Sequence, residues 1–294
     1  MSTIEIYRER IHSTDPRCRR HILHDSRAWD YRFPTADLTV ASVEHVRTLP
    51  ILDQGQVGSC TAECGTGLMG TEPYYSDLVV AAFTKAFGSF GQPGAYSLYS
   101  VEETLDGDGP YPPNDNGSTG LTLAKALRAA GLISGWTQTF SLTDALKALT
   151  LYPLAVGTYW FNNMFTTTAE GIVKPNKASG VAGGHEYEAV GYDATRGLVK
   201  FANSWGTSWG WQGYFYMAAE DFGALLADQG DVTVMTPMLQ PAPVPTPPAP
   251  PAARPQDVAL AAAMRHNDWV DKRHTGDNRV MAQASAVWLA ATGL

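Results

Sequence analysis

The chain has 294 residues, of which 44% are hydrophobic and 17% charged, as in a globular protein with one large domain or two small ones. Its formal net charge of −8 argues against a general nucleic-acid binder, and no stretch approaches the roughly 18 apolar residues of a membrane span. The three cysteines are too few for a disulfide framework, and the opening residues lack the basic-then-apolar run of a signal peptide. We therefore expect synthesis in a reducing cytoplasm, with later release or incorporation into a phage virion left open.

Residues 1–47 form a polar segment with no long periodic pattern. Seven arginines lie in the first 32 residues, and five acidic residues in the same stretch nearly balance them. This balance predicts an N-terminal arm that is solvated or docked, in preference to a binding site for a polyanion. The sequence leaves open whether the arm wraps the domain that follows or blocks part of it.

Residues 48–238 are rich in glycine, aromatic residues and short apolar runs, and we expect them to form a catalytic domain. The first motif in this region is ILDQGQVGSCTAEC, residues 51–64. Its glycines allow a tight loop, and Ser59 precedes a predicted helix that begins near Cys60. Because the positive end of a helix dipole stabilises a thiolate, Cys60 is a candidate nucleophile. The alternative, a buried and inert cysteine, is not excluded by this segment alone.

Two distant segments supply the partners that a nucleophilic thiol needs. GGHEYEAVGYD, residues 183–193, places His185 at the start of a predicted strand. FANSWGTSWGWQGYFYM, residues 201–217, places Asn203 beside a turn rich in tryptophan and glycine. A thiol requires a base within hydrogen-bond reach, and that base requires an orienting group. We predict Cys60 as nucleophile, His185 as its base and Asn203 as the group that holds the histidine.

The three motifs together resemble the papain-like cysteine peptidase family, here as a bacterial or phage-type member without the usual disulfides. DQGxxGSC, the histidine on a strand and NSWGxxWGxxGY carry the resemblance, and the histidine and asparagine follow the cysteine by 125 and 143 residues. The resemblance implies an α+β fold of two lobes, one helical and one β-barrel-like, with a cleft between them. It also implies hydrolysis of peptide bonds in a peptide or protein substrate through an acyl-enzyme, with neither a metal nor an organic cofactor.

The resemblance further implies roles for neighbouring residues. Gln54 would donate its side-chain amide to the oxyanion, together with the backbone N–H of Cys60. Cys60 and His185 would rest as a thiolate–imidazolium pair. Trp205 would border the substrate site and shield the histidine–asparagine hydrogen bond from water.

Two more residues are candidates for substrate binding. Glu186 follows the histidine, where relatives carry a small residue near a specificity subsite, and an acid there would favour a basic side chain in the substrate. The alternative is that Glu186 and Glu188 form a solvated pair of carboxylates. Gly117, in a glycine-containing loop before a predicted helix, would hydrogen-bond the substrate backbone; its alternative is a plain N-cap turn.

The C-terminal part of the chain divides into a linker and a tail. Eight prolines in residues 239–255 favour an extended spacer and exclude helix and sheet. Residues 256–294 carry apolar residues at helical spacing and predict two helices. Because so short a segment hardly buries a core alone, we expect the tail either to dock on a protein partner or to pack on its own domain.

Two other functions stay open at the level of the sequence. The same site would suit a cell-wall-peptide hydrolase, an acyltransferase or a deamidase, since all of these use Cys-His chemistry. The chain could instead be a structural component of a large assembly, such as a phage tail, anchored by its proline-rich linker and helical tail.

Overall fold

The computed structural model describes residues 6–25 and 33–238, all of which lie in the first of two units of the chain, Met1–Pro241. The second unit is Ala242–Leu294. The predicted proline-rich linker (239–255) and helical tail (256–294) lie outside the described residues. Within the described ranges, no helix combines the length and the apolar character needed to cross a membrane.

Most of the helices precede the main sheet and form a lobe with its own apolar core. Ser76, Thr119 and Ser141 cap three of them by accepting a backbone N–H of the first turn. The first helix starts at Cys60, as predicted, and packs against β6 of the main sheet as well as against its helical neighbours. The helices are α1 (Cys60–Met69), α2 (Asp77–Phe87), α3 (Gln92–Asp106), α4 (Gly120–Ala129), α5 (Leu142–Leu149) and α6 (Ala219–Ala227).

The second lobe is built on a seven-stranded antiparallel sheet with the order β4-β9-β5-β6-β7-β8, and β3 pairs with β6 outside this path. Among the described residues β4 and β8 end the path without pairing with each other, so the predicted β-barrel-like lobe is an open sheet. The α+β class is confirmed. The strands are β1 (Ile6–Glu9), β2 (Ile22–Asp25), β3 (Val43–Glu44), β4 (Ile133–Thr139), β5 (Leu154–Phe161), β6 (Val181–Asp193), β7 (Leu198–Ala202), β8 (Tyr214–Ala218) and β9 (Asp231–Pro237).

Aromatic side chains form much of the core of the sheet lobe. Trp160 on β5 is fully buried, and its ring meets those of Tyr187 and Phe215 edge-on, with centroids 5.9 and 5.8 Å apart. Such edge-to-face contacts stabilise beyond simple burial of area. Because Tyr187 stands two residues after His185 on β6, this packing fixes the strand that carries the predicted base.

The described part of the N-terminal arm is docked. Strands β1 and β2 pair with each other, and the segment between them lies along β6. The N–H of Thr14 donates to the carbonyl of Ala182 (2.8 Å), and the N–H of Arg20 donates to that of Gly184 (2.9 Å). The N–H of His21 donates instead to Ser118, which precedes helix α4 of the other lobe (2.8 Å). The arm therefore crosses the cleft between the two lobes.

Candidate active site

Cys60 opens helix α1 and is fully buried. Its sulfur accepts hydrogen bonds from the backbone N–H groups of Glu186 on β6 and Arg19 on the arm. Burial raises the pKa of the thiol to about 12, and these two N–H groups only partly offset the effect. The thiol is therefore protonated at neutral pH while the arm covers it.

His185 is held from one side by Asn203. Its Nε2 lies 2.7 Å from the Oδ1 of Asn203, and the same oxygen accepts the backbone N–H of Ser204 at 2.9 Å. Because that oxygen can only accept, Nε2 carries the ring proton and Nδ1 is left as an acceptor. Among the described residues Nδ1 has no hydrogen-bond partner. The backbone of Arg17 on the arm nevertheless raises the pKa of the ring, so the arm lies beside the histidine.

The expected thiolate–imidazolium pair is not the state that this buried site favours. Burial lowers the pKa of His185 to about 4, while the hydrogen bond to Asn203 opposes the shift and the charge of Arg17 adds to it. Together with the raised pKa of Cys60, these directions favour a neutral thiol beside a neutral imidazole. The physical cause is the arm, which removes water from both groups.

Two indole rings enclose the histidine. The ring of Trp205 stacks on His185, with centroids 4.7 Å apart and an interplanar angle of 26°. Trp160 meets the imidazole edge-on from the sheet core at 5.0 Å. Because Trp205 is only 5% exposed, water has little access to the bond between His185 and Asn203. The expected shielding is therefore present in the geometry.

Gln54 is oriented so that its amide N–H groups face the cleft. Its Oε1 accepts from the hydroxyl of Ser204 at 2.7 Å and from the indole N–H of Trp205 at 3.1 Å. These two donors fix which end of the amide is oxygen. Its Nε2 donates to the carbonyls of Val57 at 2.7 Å and Arg17 at 3.2 Å. A carbonyl of the arm thus occupies the donor that was predicted to bind an oxyanion.

The arm contacts the cleft through its arginines. The guanidinium of Arg17 lies 4.7 Å above the ring of Trp205, a cation–π contact. Arg19 pairs with Asp115 at 2.8 Å on the helical lobe. Arg20 is fully buried between Glu186 and Asp231. The described part of the arm therefore lies docked against both lobes.

Gly117 touches the arm but does not donate to it. It has a φ of +88°, and a Cβ there would lie closer than 3.0 Å to the carbonyl oxygen of Arg19. Its own N–H points inward to Glu103 at 2.7 Å and to Tyr99 at 2.9 Å. Gly117 therefore permits close approach of a peptide backbone, while its neighbour Ser118 supplies the carbonyl that bonds the arm.

The two glutamates after His185 are not solvated. Glu186 is 0% exposed and Glu188 is 1% exposed, so the alternative of a solvated pair is wrong. Glu188 pairs with Arg47 at the junction of the arm and the domain, whereas Glu186 faces Arg20, which lies in the cleft. Sequence reasoning missed Asp231, which carries no motif and reaches this site only through the pairing of β9 with β5.

No metal site is evident in the part of the chain that the structure describes. Residues 6–25 and 33–238 contain no group of three or more His, Cys, Asp or Glu arranged to hold a metal ion.

The third cysteine of this region, Cys64, is buried one helical turn after Cys60, and burial raises the pKa of its thiol well above the ordinary value.

Residues 95–230 match the sequence model of a family described as "Papain family cysteine protease". This range contains His185, Asn203 and Trp205, while Cys60 and Gln54 precede it. Cysteine proteinase 3 of Dictyostelium discoideum is 28% identical to this chain over 192 residues, which are 58% of this chain and 55% of that protein. The chain thus spans just over half the length of this curated relative.

Solved structures of cysteine proteases superpose on this chain. Xylellain, a cysteine protease from Xylella fastidiosa, superposes with a TM-score of 0.50 at 18% identity, over 80% of this chain and 99% of that one. A digestive procathepsin L 3 from the larval midgut of Tenebrio molitor superposes with a TM-score of 0.47 at 16% identity, over 70% of this chain and 73% of that one.

Proposed function

We propose that this chain is a cysteine-type peptidase with Cys60 as nucleophile and 48–238 as its catalytic domain, because residues 95–230 match the sequence model of the papain family of cysteine proteases. One observation supports the proposal most directly. His185 is anchored on Asn203 through Nε2 at 2.7 Å, its Nδ1 has no hydrogen-bond partner among the described residues, and the thiol of Cys60 accepts the N–H of Glu186, which directly follows the histidine. These contacts support a site in which a base, its orienting group and a thiol at a helix N-terminus act together.

The chemistry follows from these positions once a peptide replaces the arm. His185 takes the thiol proton at Nδ1, and the Cys60 sulfur attacks the carbonyl carbon of the substrate. The amide of Gln54 and the N–H of Cys60 donate to the oxyanion, a pair worth roughly 3 kcal/mol in the transition state. The imidazolium of His185 then protonates the leaving amine, and water activated by the same ring releases the acid.

The remaining predicted residues fit supporting roles. Trp205 covers the hydrogen bond on which the orientation of His185 depends, and it would border the substrate with the ring face that Arg17 of the arm now covers. Gly117 lets a substrate backbone approach the helical lobe closely. Neither residue takes part in the proton transfers.

The arm is not held as a substrate in the state described. The carbonyl that meets Gln54 belongs to Arg17, whereas the group that meets the Cys60 sulfur is the N–H of Arg19. A scissile carbonyl would need its carbon at the sulfur and its oxygen at the donors. Because these contacts fall two residues apart, we propose that the arm resists cleavage and must leave before substrate binds.

The test is hydrolysis of peptides by the full chain, with new amine termini identified by mass spectrometry. We expect Cys60→Ala and His185→Ala each to lower kcat/KM by roughly 10³-fold or more. Cys64→Ala is the matched control, because it removes a buried thiol one turn away and should keep most of the activity. A thiol-directed epoxide should label Cys60 and leave Cys64 unmodified.

Unchanged cleavage by Cys60→Ala, or labelling confined to Cys64, would contradict the proposal. Product analysis also separates the acyltransferase and the deamidase, because an acyltransferase leaves the acyl group on an acceptor and a deamidase releases ammonia; comparing ordinary peptides with cell-wall peptides as substrates separates the cell-wall-peptide hydrolase. The phage-tail role and the docking of the tail on a protein partner stay predictions.

A further inference from the structure

An arginine side chain is fully buried beside the candidate catalytic residues. Arg20 of the arm is 0% exposed, and its guanidinium pairs with Asp231 while its Nε lies 3.6 Å from an oxygen of Glu186. Arginine is almost never fully buried unless it is paired, because removing its charge from water is costly. A pocket that accepts this side chain must therefore offer negative charge and room together.

The register of three neighbouring strands supplies both the negative charge and the room. Strand β5 lies between β6 and β9, and Gly157 on β5 is directly opposite Glu186 on one side and Asp231 on the other. Residues directly opposite on neighbouring antiparallel strands share one face of the sheet. A Cβ on Gly157 would lie closer than 3.0 Å to both the Nε of Arg20 and the carboxylate of Glu186. The row carboxylate–glycine–carboxylate thus leaves a slot that any larger residue at 157 would fill.

The catalytic domain supplies no cation of its own to Glu186. Within the described residues, neither carboxylate oxygen of Glu186 has a hydrogen-bond partner, nor does the Oδ1 of Asp231. His24 Nε2 lies 3.5 Å from Asp231, but His24 also belongs to the arm. Burial and the charge of Asp231 raise the pKa of Glu186, and Arg20 opposes that shift.

Glu188 shows the contrasting arrangement on the same face of the same strand. It is equally buried, but it pairs with Arg47, which lies at the junction with the domain and outside the segment of β1 and β2 that crosses the cleft. Among the described residues, the cationic partners of Glu186 and Asp231 are in the arm, which a substrate has to displace. These two carboxylates are therefore available to bind a cation reversibly.

We propose that the slot between Glu186 and Asp231 is a specificity pocket for an arginine side chain of the peptide substrate, and that Arg20 is its occupant in the resting chain. The inference rests on the proposed peptidase function. The slot adjoins the reacting sulfur, since the N–H of Glu186 itself donates to Cys60. Two carboxylates on opposite walls match the several N–H donors of a planar guanidinium better than the point charge of a lysine.

The test uses the full chain with Arg20→Ala, which empties the slot. Fluorogenic peptides carry Arg, Lys or Leu at each position in turn around the cleaved bond. At one position we expect kcat/KM for Arg to exceed that for Leu by about 10-fold or more, with Lys between them. Adding Glu186→Gln or Asp231→Asn should reduce this ratio to below about 3-fold.

Asp228→Asn is the matched control, because it makes the same chemical change in a carboxylate that pairs with Lys177 at the surface. It should leave the preference for Arg unchanged. Glu186 and Asp231 lie on different strands, so the test of the pocket can be decided if either variant, Glu186→Gln or Asp231→Asn, folds. Circular dichroism checks the folding of each variant. Equal cleavage of Arg and Leu peptides by the Arg20→Ala chain would overturn the inference.

Binding separates this inference from the proposed activity. Calorimetry with the Cys60→Ala, Arg20→Ala chain measures the affinity for the same peptides without turnover. Arginine-selective binding that Asp231→Asn abolishes supports the pocket, even if the parent chain hydrolyses nothing. Hydrolysis without any preference for arginine, in turn, refutes the pocket and leaves the peptidase function standing.

Discussion

At the scale of single residues, buried carboxylates stand close to the cleft. Glu63, one turn into α1, accepts hydrogen bonds at Oε1 from Ser59 at 3.2 Å and from Gln92 at 2.5 Å, while its Oε2 has no partner among the described residues. Burial raises its pKa to about 8, and the two donors oppose the shift only in part. Glu63 is therefore protonated in the folded chain at neutral pH.

This raised pKa predicts a pH-dependent stability. In the unfolded chain Glu63 ionises near its ordinary pKa, so its contribution is fully present below that value and is lost as pH rises through about 8. Relative to Glu63→Gln, the wild-type chain should lose on the order of a few kcal/mol of unfolding free energy between pH 5 and pH 9. Urea unfolding across that range measures the difference. A difference that does not change with pH would show that the carboxylate is already ionised in the fold.

At the scale of elements, the arm is held to the cleft by interactions of unequal strength. Arg20 is buried among carboxylates, whereas Arg8 makes a surface pair with Asp106 at 3.9 Å and remains 42% exposed. Surface pairs contribute little to stability, while breaking a buried pair is costly. Arg20 is therefore the principal charged anchor that we identify in the described part of the arm.

Loosening the arm should expose the thiol. We expect Arg20→Ala to raise the rate of alkylation of Cys60 by iodoacetamide at pH 7 by about tenfold or more, because the arm that buries the sulfur loses its anchor. Arg8→Ala, which removes an equal charge from the same arm, should change the rate by less than about twofold. Peptide mass spectrometry locates the label and gives its rate. Equal rates for the two variants would mean that Arg20 does not hold the arm in place.

What the sequence could predict at this scale depends on whether a feature is encoded locally. The start of α1 at Cys60 and the turn at Asn203 follow from contiguous motifs, in which glycines and caps fix the backbone. The row of Gly157, Glu186 and Asp231 depends on the register of three strands that are far apart in the chain, and no local signal specifies it. Whether β4 and β8 pair likewise depends on long-range contacts. The prediction of a barrel-like lobe was therefore correct about the sheet but not about its closure.

At the scale of the whole molecule, each lobe has its own buried core. One centres on the aromatic residues of the sheet and the other on helices α1 to α4. Trp160 joins the sheet core to the site, because its ring contacts both His185 and Trp205. The stability of the sheet lobe and the position of the base therefore depend on one side chain.

Truncating that side chain should affect both properties. Trp160→Ala should lower the unfolding free energy by about 3–5 kcal/mol, because the cavity left behind cannot fully collapse. Trp211→Ala, at a position that is 47% exposed, should change it by about 0.5 kcal/mol or less. Urea denaturation followed by circular dichroism checks both variants. A loss below about 1 kcal/mol for Trp160→Ala would indicate that the ring is not part of the packed core.

Two adjacent residues of the arm, Arg20 and His21, donate their N–H groups to carbonyls on different sides of the molecule, Gly184 and Ser118. A bound peptide that donates to the same two carbonyls would hold the two lobes at the separation seen here. The spacing of the two lobes at this point thus depends both on the domain and on the peptide in the cleft. Inhibitors that span both carbonyls should consequently raise the melting temperature as well as block turnover, which makes heat resistance a convenient screen for them.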